Sequence, residues 1–203
     1  MLGLGSTIVS GQGLGYTLVN TFTSDFTGGS VAGSGTGDAT SSDGSVWESD
    51  SVEGNLTKTL NATVDGSAGW LKCVYDTNQT GSSGIQSNLG NFAMKIGDFQ
   101  IVSFKLYIGG SWDGVDEVQI GTRMQNTTYG VELKSSSDSS ATRYHSTFQV
   151  SQGETVTVSG HTNPPNYNNT MFELFANASG DLPQDTAYIA IKDLVIKTYR
   201  RTG

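Results

Sequence analysis

Three carboxylates stand close together in Trp112-Asp113-Gly114-Val115-Asp116-Glu117. Asp113, Asp116 and Glu117 could supply the acid pair of a glycosidase, in which one carboxyl protonates the leaving oxygen while the other attacks the sugar or activates water. That chemistry needs two acids facing each other across a cleft. Gly110–Gly114 reads as a turn, and no second acidic cluster sits beside an aromatic platform. A solvated turn accounts for them, and no catalytic residue is assigned. The segment also lacks the alternating Asp-x-Asp-x-Asp-Gly spacing and closing Glu of a calcium loop. His145 and His161 are the only imidazoles and Cys73 is the only thiol, so no zinc ligand set forms and no internal disulfide can. No GxSxG elbow marks a serine nucleophile. The sequence therefore predicts neither a metal, nor a cofactor, nor an enzyme.

Aromatic residues offer better functional candidates. Sugar rings have apolar faces that stack on Trp and Tyr, and neighbouring amides and carboxylates bond their hydroxyls. Trp112 with Asp113 beside the glycines, Tyr129 after Asn126, and Tyr167 among Asn166, Asn168 and Asn169 are candidate carbohydrate platforms on these grounds. The competing reading makes Trp47 and Trp70 core residues and the others rim residues of an assembly interface. Cys73 shares a strand face with Leu71 and Tyr75 and reads as a small core residue.

The elements that would position these residues are strands. In Val102-Ser103-Phe104-Lys105-Leu106-Tyr107-Ile108, four apolar residues fall on one face and Ser103, Lys105 and Tyr107 on the other. Alternation recurs through Asp116, Val118 and Ile120, through Tyr129, Val131 and Leu133, and through Tyr144, Ser146, Phe148 and Val150. Further strands are expected at 17–22, 56–63, 70–75, 155–159, 170–176 and 188–199. No window holds the i, i+3, i+4, i+7 pattern of a helix for long. Ten short strands separated by Gly, Asn and Ser turns predict an all-β fold, an antiparallel β-sandwich of jelly-roll type. In the last strand the phase breaks: Ile189 and Ile191 share one face, whereas Leu194 and Ile196 take the opposite phase. A bulge near Lys192-Asp193, or a strand covered on both sides, would reconcile them, and the bulge is favoured.

Around this domain, assigned to 16–203, lie an N-terminal arm at 1–15 and a Gly/Ser-rich linker or loop at 27–46. The loop has no apolar periodicity, and ordering it would cost much backbone entropy. Gly33-Ser34-Gly35-Thr36-Gly37 resembles a phosphate loop only in composition, lacking its lysine and its glycine spacing. A loop of that length suggests a functional segment or one held by a partner.

Composition bounds the partners. The 203 residues carry 11 Lys and Arg against 19 Asp and Glu, for a net charge of −8, and the basic residues are scattered along the chain. Counterion release from nucleic acid is therefore not expected to drive binding. The start, Met1 to Gly11, lacks the basic region and unbroken apolar run of a secretory signal, and no stretch is apolar for long enough to cross a membrane as a helix. A chain of this length can bury about 70% of its unfolded surface, enough for a core without disulfides.

The segment from Ile96 to Tyr107 resembles a Gly-x-x-Tyr-x-x-Ser-Phe strand of jelly-roll carbohydrate-binding modules of families four and nine. Ala187 to Ile196 resembles their last strand, and Asn20-Thr21-Phe22 followed by Trp47 resembles their opening strand and first tryptophan. The resemblance implies a jelly roll over residues 16–199 and a possible glycan ligand. Lys192 stands where that pattern has an Asp, which removes an acidic ligand from the structural calcium the resemblance would otherwise imply. Met1-Leu2-Gly3-Leu4-Gly5 resembles the opening of virion structural proteins of tailed bacteriophages. It implies a non-enzymatic virion component, a capsid decoration protein or a part of a fibre or tail. Leu2, Leu4, Ile8 and Val9 of the arm would bind neighbouring virion proteins by strand addition, the whole forming a homo-oligomer for which a trimer is one option. The alternative is a carbohydrate-binding module acting through its exposed Trp and Tyr residues.

Overall fold

A computed structural model describes residues 15–49, 56–75, 82–88, 97–110, 117–125, 130–135, 146–151, 153–162, 171–177 and 186–202. They form fourteen strands: β1 (Gly15–Ser24), β2 (Gly29–Val31), β3 (Ala39–Ser41), β4 (Val46–Ser49), β5 (Thr57–Val64), β6 (Ser67–Val74), β7 (Ser82–Asn88), β8 (Phe99–Gly109), β9 (Glu117–Gln125), β10 (Gly130–Ser135), β11 (Ser146–Ser151), β12 (Thr155–Thr162), β13 (Met171–Asn177) and β14 (Tyr188–Thr202). All pairings are antiparallel.

The first layer runs β5-β6-β14-β8-β12, and β1 pairs with β14 beyond the point where β6 leaves it. The second runs β4-β7-β13-β9, with β11 on the far side of β9. The chain crosses between them in two runs, β6 to β7 to β8 to β9 and again β11 to β12 to β13 to β14, which is the crossing pattern of a jelly roll. At one edge β10 joins the layers, pairing through Gly130–Glu132 with β9 and through Leu133–Ser135 with β12.

Alternation explains the core. Val102, Phe104, Leu106 and Ile108 of β8 are buried, as their spacing predicts, beside Leu71 and Cys73 of β6 and Ile189 and Ile191 of β14. Ile85, Phe172 and Leu174 meet them from the second layer, with the Phe104 and Phe172 rings edge to face at 5.9 Å. Each such side chain contributes roughly 1.5–3 kcal/mol of burial. Cys73 lies fully buried in this core, and burial pushes its thiol up to about 12.

The expected bulge in the last strand is present. Register against β8 shifts between Lys192 and Val195, and Asp193 takes a left-handed conformation at φ 55°. Aspartate tolerates that conformation better than most residues. Its carboxylate pairs with Lys105 Nζ at 2.8 Å on the exposed side.

The Gly/Ser-rich stretch at 27–46 is more ordered than a linker. It contains the β2-β3 hairpin and the start of β4, and Ala39, Ser41 and Ser45 are buried. Polar side chains supply the order that apolar periodicity does not. Lys58 on β5 is only 2% exposed, and its Nζ donates to the Gly37 carbonyl at 3.0 Å, to Ser49 Oγ at 2.8 Å, and at longer range to the Thr36 and Leu56 carbonyls. Asp43 Oδ1 accepts from Ser41 Oγ and the Ser45 amide, and its Oδ2 accepts from the Asp25 amide. Burial pushes the Asp43 carboxyl up, but the bonds from Ser45 and Ser41 outweigh it and hold the group below the usual carboxylate range. Trp47 then anchors the stretch to the core, edge to face with Phe26 at 5.3 Å and with Phe172 at 6.2 Å.

Candidate functional site

Directly paired residues on neighbouring strands share a face, so register lays out the outer surface of the first layer row by row. One row reads Val74, Tyr188, Gly109 across β6, β14 and β8. The next reads Lys72, Ala190, Tyr107, Thr155, and the one after it Lys192, Lys105, Thr157, with Trp70 of β6 beside Lys192. Past the bulge the rows are Thr23, Val195, Ser103; Thr21, Lys197, Ile101; Leu18, Tyr199, Phe99; and Tyr16, Arg201.

Aromatic rings gather at both ends of this face. At one end Tyr107 and Tyr188 lie nearly parallel, 6.0 Å between centroids and 16° between planes. Trp70 meets Tyr107 edge on at 6.4 Å, its Nε1 donating to Ser67 Oγ at 3.0 Å. Trp70 is buried, but beneath Val64, Ala190, Tyr107 and Tyr188 rather than in the main core. Lys72 Nζ rests 4.1 Å from the centre of the Tyr188 ring. The Tyr188 hydroxyl titrates above its usual range, raised by burial first and then by Tyr107 and Asp65. Lys192 Nζ donates to the Ala68 carbonyl, and Thr155 Oγ1 to Asp65 Oδ2.

At the other end Phe99 stacks on Tyr199 at 5.0 Å and 8°, with Tyr16 edge on to Phe99 at 4.8 Å. Beside them Leu18 and Val19 are 47% and 44% exposed, the large apolar residues that stand out most among the described ones. Polar pairs brace the inner side of this end. Gln100 Nε2 donates to Thr198 Oγ1 at 3.0 Å, and Arg200 donates twice to the buried Asp98 carboxylate, Nε to Oδ1 at 3.0 Å and Nη2 to Oδ2 at 2.9 Å. Removing the guanidinium would leave that carboxylate buried without its forked partner, a strongly destabilising change.

Most residues singled out from sequence are not among those the structure describes. Trp112, Asp113, Tyr129 and Tyr167 lie outside the described residues, as do Leu2, Leu4, Ile8 and Val9 of the arm and the carboxylate Asp116. Trp47 is core, as one of the two sequence readings had it. The outer-face group of Tyr16, Phe99, Tyr107, Tyr188 and Tyr199 was not singled out, although the signal existed: Ser103, Lys105 and Tyr107 occupy the outward phase of the best-patterned strand. Among the described residues no group of three or more His, Cys, Asp or Glu lies close enough to hold a metal ion.

No protein family's sequence pattern matches the chain, and no curated protein matches it. Solved structures do resemble it in shape. The CBM22-1 xylan-binding domain of Paenibacillus barcinonensis Xyn10C shares 12% identity over 88% of this chain and 94% of that one, with a TM-score of 0.49. The CBM22-1 and GH10 modules of Clostridium thermocellum endo-1,4-β-D-xylanase 10B, complexed with xylohexaose, share 15% identity over 74% of this chain, with a TM-score of 0.45. The match spans only 26% of the xylanase chain. A CBM4 structure shares 13% identity over 75% of this chain and 86% of that one, with a TM-score of 0.41.

Proposed function

We propose that this chain is a non-catalytic carbohydrate-binding domain that lays a sugar polymer along the outer face of its first layer. One observation carries the reading. Two ring groups, Tyr107 with Tyr188 and Phe99 with Tyr199, stand at opposite ends of one open sheet face, with the hydroxyls of Thr21, Thr23, Ser103 and Thr157 between them. Rings stack on the apolar faces of sugars, and hydroxyls exchange hydrogen bonds with them at small cost. At about 3.3 Å per residue the face is roughly 40 Å long, which suits a chain of several sugars better than a single small molecule. The virion attachment expected of residues 1–15 rests on that segment, of which 1–14 lie outside the described residues and Gly15 opens β1.

The test is retention on immobilised polysaccharides by affinity electrophoresis, comparing the intact chain with Tyr188→Ala and Tyr199→Ala. Slowed migration that each variant weakens, with unchanged thermal unfolding, is expected. Unhindered migration of the intact, folded chain on every polysaccharide would sink the reading.

A further inference from the structure

Charge is unevenly placed on this protein. The chain as a whole carries a net charge of −8. Yet Lys72, Lys105, Lys192, Lys197 and Arg201 all occupy outward positions on the one sheet face, five of the chain's 11 basic residues. They come from three strands far apart in sequence, β6, β8 and β14, so the gathering is a product of the fold. Two described acids touch the face. Asp193 at the bulge is already paired with Lys105, and Asp65 at the edge accepts from Thr155.

We infer that the polymer held on this face is an anionic polysaccharide, one bearing carboxylate or sulfate groups at intervals along the chain. The inference rests on the carbohydrate-binding reading above and narrows its ligand. A neutral glycan needs rings and hydroxyls and offers lysines hydrogen-bond acceptors but no charge to pair with. On an acidic protein, cations set among and between two aromatic groups are the complement of a sugar chain whose faces are apolar and whose edges carry negative charge. Along the strand axis Lys105 and Lys192 lie side by side about 7 Å beyond Lys72, and Lys197 and Arg201 follow at steps of about 13 Å. The net charge of −8 disfavours nucleic acid as the polymer, since its binding is driven by release of counterions from densely charged phosphates. Lys197 and Arg201, exposed on the surface beside Tyr199 and without an ion-pair partner among the described residues, are the cations that engage a ligand first.

The experiment measures affinity of the full chain for polygalacturonate, alginate and heparin, against xylan, mixed-linkage β-glucan and duplex DNA. Each is repeated at about 50 and about 500 mM NaCl, where screening shortens severalfold in range. The double variant Lys197→Gln with Arg201→Gln is run beside Tyr188→Ala. Expected is binding to at least one acidic polysaccharide, weakened about ten-fold or more by the added salt and to a similar degree by the double variant, with unfolding temperature unchanged. Binding to xylan or β-glucan that Tyr188→Ala abolishes, but that salt and the double variant leave alone, overturns the anionic ligand and keeps the carbohydrate reading. Failure of the folded chain to bind any polysaccharide overturns both. Tighter binding to DNA than to every acidic glycan overturns the inference in favour of a nucleic acid.

Discussion

The ring of Tyr188 lies across Gly109, so close that a Cβ at Gly109 would come within 2.4 Å of the tyrosine's Cζ and Oη. The two residues are direct cross-strand partners on β14 and β8. The missing side chain is thus what lets the ring lie over the neighbouring strand and run parallel to Tyr107. Gly109→Ala should swing Tyr188 off that seat, cost about 1–3 kcal/mol from overpacking, and weaken glycan retention. In a Tyr188→Ala background the same substitution should cost much less, because the clash is gone. A double-mutant cycle on urea unfolding checks this, and equal costs in both backgrounds would contradict it.

Lys58 turns a glycine-rich stretch into structure. Its ammonium gathers oxygens from Thr36, Gly37, Ser49 and Leu56, which no apolar side chain can bond. Lys58→Met keeps the volume and removes the bonds, so it should destabilise the protein by about 1–3 kcal/mol. The loss should be local first, with amides such as those of Ala32, Gly37 and Ser41 exchanging faster with deuterium than the core strands do. Uniform acceleration across the protein would mean that Lys58 supports the whole sandwich and not this stretch.

How far the sequence foretold this arrangement depends on what carried each signal. Alternating apolar residues in Val102–Ile108 and the phase break at Lys192-Asp193 are local facts, and both the β8 core face and the bulge follow from them. β7 has Ile85 as its single large apolar residue, and the β2-β3 hairpin is ordered by a lysine some twenty residues downstream, so neither leaves a local pattern to read. The basic residues looked scattered for the same reason. Only the pairing of β6, β14 and β8 brings Lys72, Lys192 and Lys105 together.

Cys73 should be chemically silent in the native state. The thiol is fully buried on the core face of β6, and burial pushes it up to about 12 from an ordinary value of 9.0. A thiol reagent at about pH 8 should leave the folded chain unmodified and label it once urea unfolds it. The linkage has a definite sign. Between pH 9.0 and about 12 the unfolded chain releases a proton that the native chain keeps, so this group lowers stability as pH rises through that window and has no effect below it. Rapid native-state labelling would show that the strand opens locally.

The bulge at Asp193 decides which residues the outer face carries. Before it, Tyr188, Ala190 and Lys192 point outward; after it, Val195, Lys197, Tyr199 and Arg201 do, because one extra residue shifts the alternation. Without that shift Leu194 and Ile196 would face water while Lys197 and Tyr199 turned inward. Deleting Asp193 should therefore prevent folding or abolish the binding face altogether. Substitution tests the conformation separately. Asp193→Gly suits φ 55° and loses only an exposed ion pair, so its effect on stability should stay within about 1 kcal/mol. Asp193→Val forces a β-branched residue into the left-handed region and should cost roughly 1–2 kcal/mol more. Urea unfolding of the three variants beside their glycan retention separates the roles. A deletion that folds and still binds would show that the register of β14 can slip without consequence, and that Lys197 and Tyr199 are not the residues that meet the ligand.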